Sequence, residues 1–157
     1  MSSGTDHSIA AVAERDLPEL LSLMRAYCDF YETRPSDRSL LVLSRALLAD
    51  PDPEGVQLLA RDGDSQAVGF ATVFWSWDTT EGARIGIMND LYLTSAARGS
   101  GLAERLVQAC LERCGQRGAV RLDWQTGPEN LRAQALYDRL GGVRESWLPY
   151  SLPASAS

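Results

Sequence analysis

Residues 84–124 constrain the fold more tightly than any other part of the chain. Arg84–Leu93 is a largely apolar run with one polar break, Asn89-Asp90, and it reads as a long strand. A short loop carrying Gly99 and Gly101 follows. From Gly101 to Arg117, Leu102, Leu106, Cys110 and Cys114 recur at helical spacing. Gly115 and Gly118 supply the stop of that helix. Val120–Trp124 then alternates apolar and polar and reads as another strand. A strand–helix–strand crossover of this kind joins parallel neighbours, so the sheet must contain a parallel pair.

The turn from this strand into this helix is suited to an anion. Backbone N–H groups at a helix start have no intrahelical partner, and the helix dipole favours negative charge there. Gly99 and Gly101 let the backbone turn sharply and come close to a phosphate. Arg98 and Ser100 add a guanidinium and a hydroxyl. A glycine pair alone also describes an ordinary tight loop. The common nucleotide motifs fit poorly: there is no Gly-Lys-Ser/Thr, and Glu104 breaks a Gly-x-Gly-x-x-Gly pattern.

The remaining elements follow from periodicity and punctuation. Ser8–Ala13 reads as a short first strand. Asp16-Leu17-Pro18-Glu19 reads as a capping box opening a helix to about Tyr31, with Leu20, Met24, Tyr27 and Tyr31 on one face. A second helix spans about Asp37–Ala49, with Leu40, Leu43 and Leu47 in a stripe, and Asp50-Pro51-Asp52-Pro53 ends it. Val56–Arg61 and Ala67–Trp77 are strands around Asp62-Gly63-Asp64-Ser65, a hairpin signal. Thr126-Gly127-Pro128-Glu129 reads as a capping box for a fourth helix, to Leu140, and Val143–Leu152 as the last strand or strands. The expected order is β-α-α-β-β-β-α-β-α-β, an α/β (α+β) fold. Its mixed, mostly antiparallel sheet of about six to seven strands is flanked by four helices. One domain of 157 residues is expected, with flexible tails at 1–7 and 153–157.

Composition excludes several function classes. A net charge of −6 argues against a nucleic-acid binder that needs a basic surface. No apolar run is long enough to span a bilayer, and residues 1–8 lack the apolar core of a secretory signal. Cys28, Cys110 and Cys114 are an odd count without a disulfide-framework spacing, and the only histidine is His7. A reduced, cytoplasmic protein without bound metal is expected. All 15 basic residues are arginine, so the chain has no lysine side chain on which to acylate itself.

Arg98-x-x-Gly101-x-Ala103, between an apolar strand and an amphipathic helix, resembles the acetyl-CoA signature of the GNAT superfamily of N-acetyltransferases. A second segment matches the same family. Asn130, Ala133 and Tyr137 fit its Asn-x-x-Ala-x-x-x-Tyr pattern, closed by Leu140-Gly141, although Gly142 stands where an aromatic is usual. The resemblance covers Val56 to Tyr150. It implies acetyl-CoA as co-substrate, with Arg98, Gly99, Ser100, Gly101, Leu102 and Ala103 at its pyrophosphate. It further implies the Leu91, Tyr92 and Leu93 backbone along the pantetheine and thioester carbonyl, Asn130 and Ala133 beside the cofactor arm, and Tyr137 as the acid for the leaving thiolate. Taken alone, Tyr137 reads as a half-buried packing residue.

Within the family the sequence is most similar to the diamine and polyamine (spermidine/spermine-type) acetyltransferases. The shared features are the Asp-Leu-Tyr-Leu strand, the Asn130/Tyr137 pair and the late Trp147. In those enzymes a Glu immediately before the matching Asp is a candidate base; here that position is Asn89, which cannot serve. Asp90 is retained and carries two readings, base or structural. On strict alternation it faces opposite to Asn89 and Leu91, and a bulge would alter that parity.

Asp29, Glu32, Asp78 and Glu81 read either as solvated surface or as an acidic mouth for a cationic amine. Tyr27, Tyr31, Trp75 and Trp77 read as core or as its aromatic flank. The expected activity is acetyl transfer from acetyl-CoA to a primary amine of a small molecule such as a polyamine or amino acid. The alternatives are acetylation of a protein or peptide, and an acyl-CoA-binding sensor with little turnover. Trp147, Leu148 and Tyr150 either pair two copies through the C-terminal strands or close the monomer core.

Overall fold

Both faces of one strand are buried, and the first of two compact units, Met1–Gln125, is assembled around it. That strand is β3, Ala67–Asp78, buried continuously over residues 68–73. A strand covered on both sides reads as a continuous apolar run rather than an alternating one. The structure, a computed structural model, describes residues 6–155.

Five strands form one sheet in the order β1-β2-β3-β4-β5. They are β1 (Ser8–Ala11), β2 (Gly55–Arg61), β3, β4 (Ala83–Leu93) and β5 (Leu122–Asp123). The first three pairings are antiparallel, and β4 pairs with β5 in parallel. The crossover helix α4, Leu102–Arg117, makes that parallel pair, as residues 84–124 require. Asp62 shapes the β2–β3 turn, its Oδ1 accepting from the N–H groups of Asp64 at 3.0 Å and Gln66 at 2.9 Å.

Helices α1 (Leu17–Phe30) and α2 (Asp37–Ala49) pack on one face of the sheet. Leu20, Leu23 and Met24 of α1 and Leu40 of α2 share a core cluster with Leu59 and Phe70. Leu102, Leu106, Cys110 and Cys114 of α4 are all buried, the stripe expected from their spacing. Leu106 lies beside Gly69, the sequence neighbour of Phe70, so α4 covers the opposite face. Burial pushes the thiol of Cys110 up to about 12 and that of Cys114 up to about 11, so both are protonated packing groups.

Several expectations need correction. Asp16 does not cap α1. Its carboxylate accepts from Ala13 N–H at 2.8 Å, closing a 3₁₀ turn over Glu14–Asp16, and pairs with Arg61 at 2.9 Å. Ser36 caps α2, accepting from Ser39 N–H at 3.1 Å. Asp50-Pro51-Asp52-Pro53 does not only end α2, because Pro51–Glu54 forms one further turn, α3. Proline tolerates the first turn of a helix, where its missing N–H has no partner to lose. β5 has two paired residues rather than five, since its ladder with β4 ends at Ile87↔Asp123. Tyr31 lies past the end of α1 and is exposed. His7 is buried, with its carbonyl accepting from Arg105 Nη2 at 3.0 Å, although the sequence places it in a tail. The rest of the expected tail regions divides: residues 1–5, 156 and 157 lie outside the described residues, and 153–155 are exposed without regular structure.

The second unit, Thr126–Ser157, contains helix α5, Leu131–Arg139. Its cap is Asn130, whose side-chain oxygen accepts from Ala133 N–H at 3.1 Å; Thr126 is not the cap. The Gln134 amide reaches back to the carbonyls of Gly127 and Pro128, both at 3.0 Å, and ties the preceding turn to the helix. Gly142 N–H closes the other end on the Tyr137 carbonyl at 2.9 Å. Val143–Leu152 forms no strand. The described residues therefore hold five strands rather than six or seven, and five α-helices rather than four. The aromatic residues Trp147 and Tyr150 give that segment strand character, but a strand exists only where a neighbour accepts its backbone hydrogen bonds.

Candidate active site

β4 carries the first half of the site, and its irregularity decides what faces where. Met88 pairs with Val73, and Asp90 pairs with Thr72, so Asn89 is left over as a bulge. An extra residue on one strand reverses the side-chain parity beyond it. Asp90 consequently shares the α1 face with Thr72 instead of the α4 face with Met88. Past Ile87 the β4–β5 ladder has ended, and the backbone of Met88–Leu93 has no β5 partner. That unpaired backbone edge is what an extended ligand arm requires for hydrogen bonds to Leu91 and Leu93. The Tyr92 side chain packs with Phe70 and Tyr27, at ring separations of 6.2 and 6.4 Å, so only its backbone is available to a ligand.

Asp90 is half-buried and surrounded by donors. Asn89 Nδ2 donates to its Oδ1 at 2.9 Å, and the hydroxyls of Thr72 and Tyr27 lie near the same carboxylate. Burial raises the pKa of Asp90 above the ordinary carboxylate value, and these three donors partly offset the rise. The Tyr27 hydroxyl has two acceptors in reach, the Asn89 carbonyl at 3.3 Å and the Asp90 carboxylate. An ionised carboxylate is the stronger acceptor of the two. Burial, and then the neighbouring Asp90 charge, push the Tyr27 phenol far up, so Tyr27 remains a donor.

The loop after β4 has the geometry of an anion cradle. A 3₁₀ turn, Ser95–Ala97, precedes it, and Arg98 is exposed at its end. Gly99 and Gly101 both have left-handed φ, 79° and 81°. No side chain caps α4, so the N–H groups of Leu102, Ala103 and Glu104 open the helix without a side-chain acceptor on Gly101. A Cβ built at Gly101 meets nothing within 4 Å, so the approach there is open. Two assignments need adjustment. Ser100 Oγ donates to the Ala97 carbonyl at 2.6 Å, so its hydroxyl proton braces the loop and its N–H is what it offers an anion. The Leu102 side chain is fully buried and contributes only its backbone. The donor set of one guanidinium and a run of backbone N–H groups fits a pyrophosphate.

The second unit holds Asn130, Ala133 and Tyr137 together on α5. Ala133 and Tyr137 are four apart and share one helix face. Because the Asn130 side-chain oxygen caps α5, its NH₂ is the group it can present to a ligand. Tyr137 is half-buried and has an interaction partner.

The expected acidic mouth is only partly available. Arg121 binds Glu81 at 2.8 Å and Asp123 at 3.0 Å, and also pairs with Asp78. Asp78 and Glu81 are thereby tied to one guanidinium at the end of the β3–β4 hairpin, in a cluster that stays net negative. The Arg84 guanidinium covers the Trp77 ring, 4.7 Å from its centroid, so that face is taken. Asp29 and Glu32 do border an open depression of about 430 Å³, with Thr33 and Arg34. Sequence reasoning passed over Gln57 and Thr72. Their signal was a polar residue inside each of two apolar strands, and both are buried.

The chain has family and structural relatives. The family model described as "Acetyltransferase (GNAT) family" matches residues 18–142. YhfO, an uncharacterized N-acetyltransferase of Bacillus subtilis (strain 168), is 29% identical over 80% of this chain and 83% of its own. The D-amino-acid N-acetyltransferase HPA3 of Saccharomyces cerevisiae is 29% identical over 84% of this chain and 82% of its own. A thialysine N-epsilon-acetyltransferase of Caenorhabditis elegans is 26% identical over 94% of this chain and 92% of its own. The fold matches that of an aminoglycoside N-acetyltransferase, AAC(6')-Iy, in complex with CoA. The TM-score is 0.82 at 18% identity, over 99% of each chain. No helix among the described residues is long and apolar enough to cross a membrane. An opened β4 edge, an uncapped glycine-rich entry to α4 and a family match over most of the sequence converge: the chain belongs to the acetyltransferase (GNAT) family, and is an acyltransferase with acetyl-CoA as its co-substrate.

Proposed function

We propose that this enzyme transfers the acetyl group of acetyl-CoA to the primary amine of a small molecule, with Asp90 as the base and Tyr137 as the acid. The observation that carries this reading is the half-buried Asp90 carboxylate at the β4 bulge, bonded by Asn89 Nδ2 and beside the unpaired Leu91–Leu93 edge.

The chemistry divides among named groups. Arg98, the loop N–H groups and the start of α4 hold the pyrophosphate. The backbone of Leu91 and Leu93 aligns the acyl arm, and the Leu91 N–H polarises the carbonyl. The amine nitrogen attacks the thioester carbon; the C–N bond forms and the C–S bond breaks. A Lys-like amine has a pKa near ~10.4, so having it neutral at pH 7 costs roughly 4–5 kcal/mol. Asp90 takes the amine proton, directly or through one water. Its raised pKa matches it better to that task than an ordinary carboxylate. Tyr137 donates to the departing thiolate, and Asn130 and Ala133 flank the cofactor arm. Holding the two reactants together supplies much of the remaining acceleration.

Among small amines, an amino-acid-like zwitterion fits better than a polyamine. Two of the four expected carboxylates, Asp78 and Glu81, are engaged in ion pairs with Arg121 and are not free to receive a polycation by themselves. The depression at the end of α1 mixes Asp29 and Glu32 with Arg34. A D-amino acid and thialysine name the activities of two relatives.

The test is CoA release from acetyl-CoA against a panel of amines. It contains α-amino acids of both hands, lysine, small diamines, spermidine, an aminoglycoside and a short peptide. Saturation with an amino acid supports the reading. Saturation with spermidine alone restores the polyamine assignment. Tight acetyl-CoA binding without turnover on any small amine removes the small-molecule reading and points to a peptide acceptor or a sensing role.

A homodimer through residues 143–152 is proposed with it. Trp147 is 85% and Tyr150 91% exposed, and the segment has no strand partner. Val143 and Leu148 are exposed beside them, and a second copy of this chain covers that apolar run.

A further inference from the structure

Three polar side chains stand in one row across the α1 face of the sheet. Gln57 of β2 is the register partner of Thr72 of β3, and Thr72 is the register partner of Asp90 of β4. Gln57 and Thr72 are buried, each flanked by apolar residues of its strand. Burying an amide and a hydroxyl there is costly unless both are fully hydrogen-bonded, and an apolar pair of the same shape avoids that cost.

The direction of the Gln57 bonds is fixed. Gln57 Nε2 lies 3.6 Å from Met24 Sδ and 3.1 Å from Thr72 Oγ1. A thioether sulfur only accepts, so the amide NH₂, not the amide oxygen, occupies this position. Ser44 Oγ approaches the same sulfur at 3.7 Å from α2 and holds Met24 from the other side. One Gln57 proton points to Met24 and the other to Thr72. Thr72 Oγ1 is thereby an acceptor toward Gln57, which leaves its single hydroxyl proton for another acceptor, and its cross-strand register partner is Asp90.

We propose that Gln57 and Thr72 are positioning residues for Asp90. The amide locks the threonine hydroxyl as a donor, and that donor fixes the carboxylate in its ionised, base-competent orientation. This rests on the reading of Asp90 as the base. The titratable groups facing Asp90 are Tyr27 of α1, with Tyr31 behind it, and the neighbouring strand residue is Asn89. None of the charged residues that pair elsewhere in the first unit contributes to its shift.

The test uses Thr72→Val, Thr72→Ser, Gln57→Leu and Asp90→Asn in the full chain. Two readouts are taken. One is the pH profile of kcat/KM with the best amine. The other is the titration of the Asp90 carboxyl carbon by NMR in the free enzyme, which needs no turnover. Removing a donor from the charged form disfavours that form. Thr72→Val should therefore move the Asp90 titration and the acidic limb to higher pH and lower kcat roughly tenfold. The KM for acetyl-CoA should stay unchanged. Gln57→Leu should shift both in the same direction by less, and Thr72→Ser should restore them. In the Asp90→Asn background, Thr72→Val should add no further loss.

An Asp90 titration that stays in place in both Thr72→Val and Gln57→Leu overturns the proposal, whatever the activity. If Thr72→Val fails to fold, Gln57→Leu and Thr72→Ser decide it by the same titration. Asp90→Asn with full activity overturns the base assignment instead, and the NMR titration still reports whether the row positions Asp90.

Discussion

Thr72 and Asp90 are cross-strand partners only because Asn89 is bulged out of β4. One uncompensated residue turns Asp90 from the α4 face to the α1 face, beside Tyr27. Without the bulge a hydroxyl donor and a carboxylate would lie on opposite sides of the sheet. The bulge thus brings the proposed base to its donors.

Asp90→Asn should lower kcat by about 10²–10³-fold while leaving acetyl-CoA affinity intact. In the wild-type enzyme the acidic limb of kcat/KM should lie above the usual carboxylate range, because burial raises Asp90. The variant's rate should instead keep rising with pH toward the acceptor amine's own ionisation. Stability carries the matching sign. Between the unfolded value of 3.8 and the raised folded one, the native state holds the Asp90 proton more tightly than the unfolded chain does. Stability therefore falls as pH rises through that window, and Asp90→Asn removes this slope. Urea melts between pH 4 and 7 measure it.

Gly101→Glu should weaken acetyl-CoA binding by roughly tenfold or more, through a negative charge at the α4 entrance. Gly101→Ala controls for the left-handed φ of 81°, which costs a non-glycine residue about 1–2 kcal/mol. Calorimetric titration with acetyl-CoA separates the two effects. A folded Gly101→Glu protein with wild-type affinity would remove the pyrophosphate assignment of Arg98 to Ala103.

Tyr137→Phe should reduce kcat by about 10²-fold and change the Kd for acetyl-CoA little. Single-turnover kinetics with the best amine distinguish this from a packing role. A purely structural tyrosine would lower the melting temperature and leave the chemical step alone.

Arg121→Gln should remove the clasp that joins Asp78, Glu81 and Asp123. Hydrogen bonds from Thr80 and Arg121 hold Asp78 down at about 2. A depressed carboxylate stabilises the fold above its unfolded value and loses that contribution as pH falls through the folded one. The melting temperatures of wild type and variant should accordingly differ at pH 5–7 and converge as the pH approaches 2.

Trp147→Ser with Tyr150→Ser should convert the proposed dimer to a monomer in sedimentation velocity, with little loss of helix by circular dichroism. A wild-type chain that sediments as a monomer at tens of micromolar removes the interface outright.

Much of the local structure that carries the candidate site was legible because its signals are local. The Arg98–Ala103 loop and the α4 stripe depend on residues within a few positions of one another, and both stand where the spacing puts them. The Asn130–Tyr137 segment is helical for the same reason, although its cap proved to be Asn130 rather than Thr126. The hairpin at Asp62 was equally plain, since one carboxylate closes its own turn.

By itself, then, the sequence determined the strand–loop–helix crossover and the glycine-rich loop proposed to hold the pyrophosphate, because glycine conformations and helix periodicity are properties of short stretches. Tertiary structure decided the face of Asp90, the row from Gln57 through Thr72, the two-residue extent of β5 and the unpaired Val143–Leu152. The first three depend on register, a relation between two strands, and the last on whether any strand lies beside it. A one-residue shift of register reverses every side chain and leaves no trace in the local pattern of either strand.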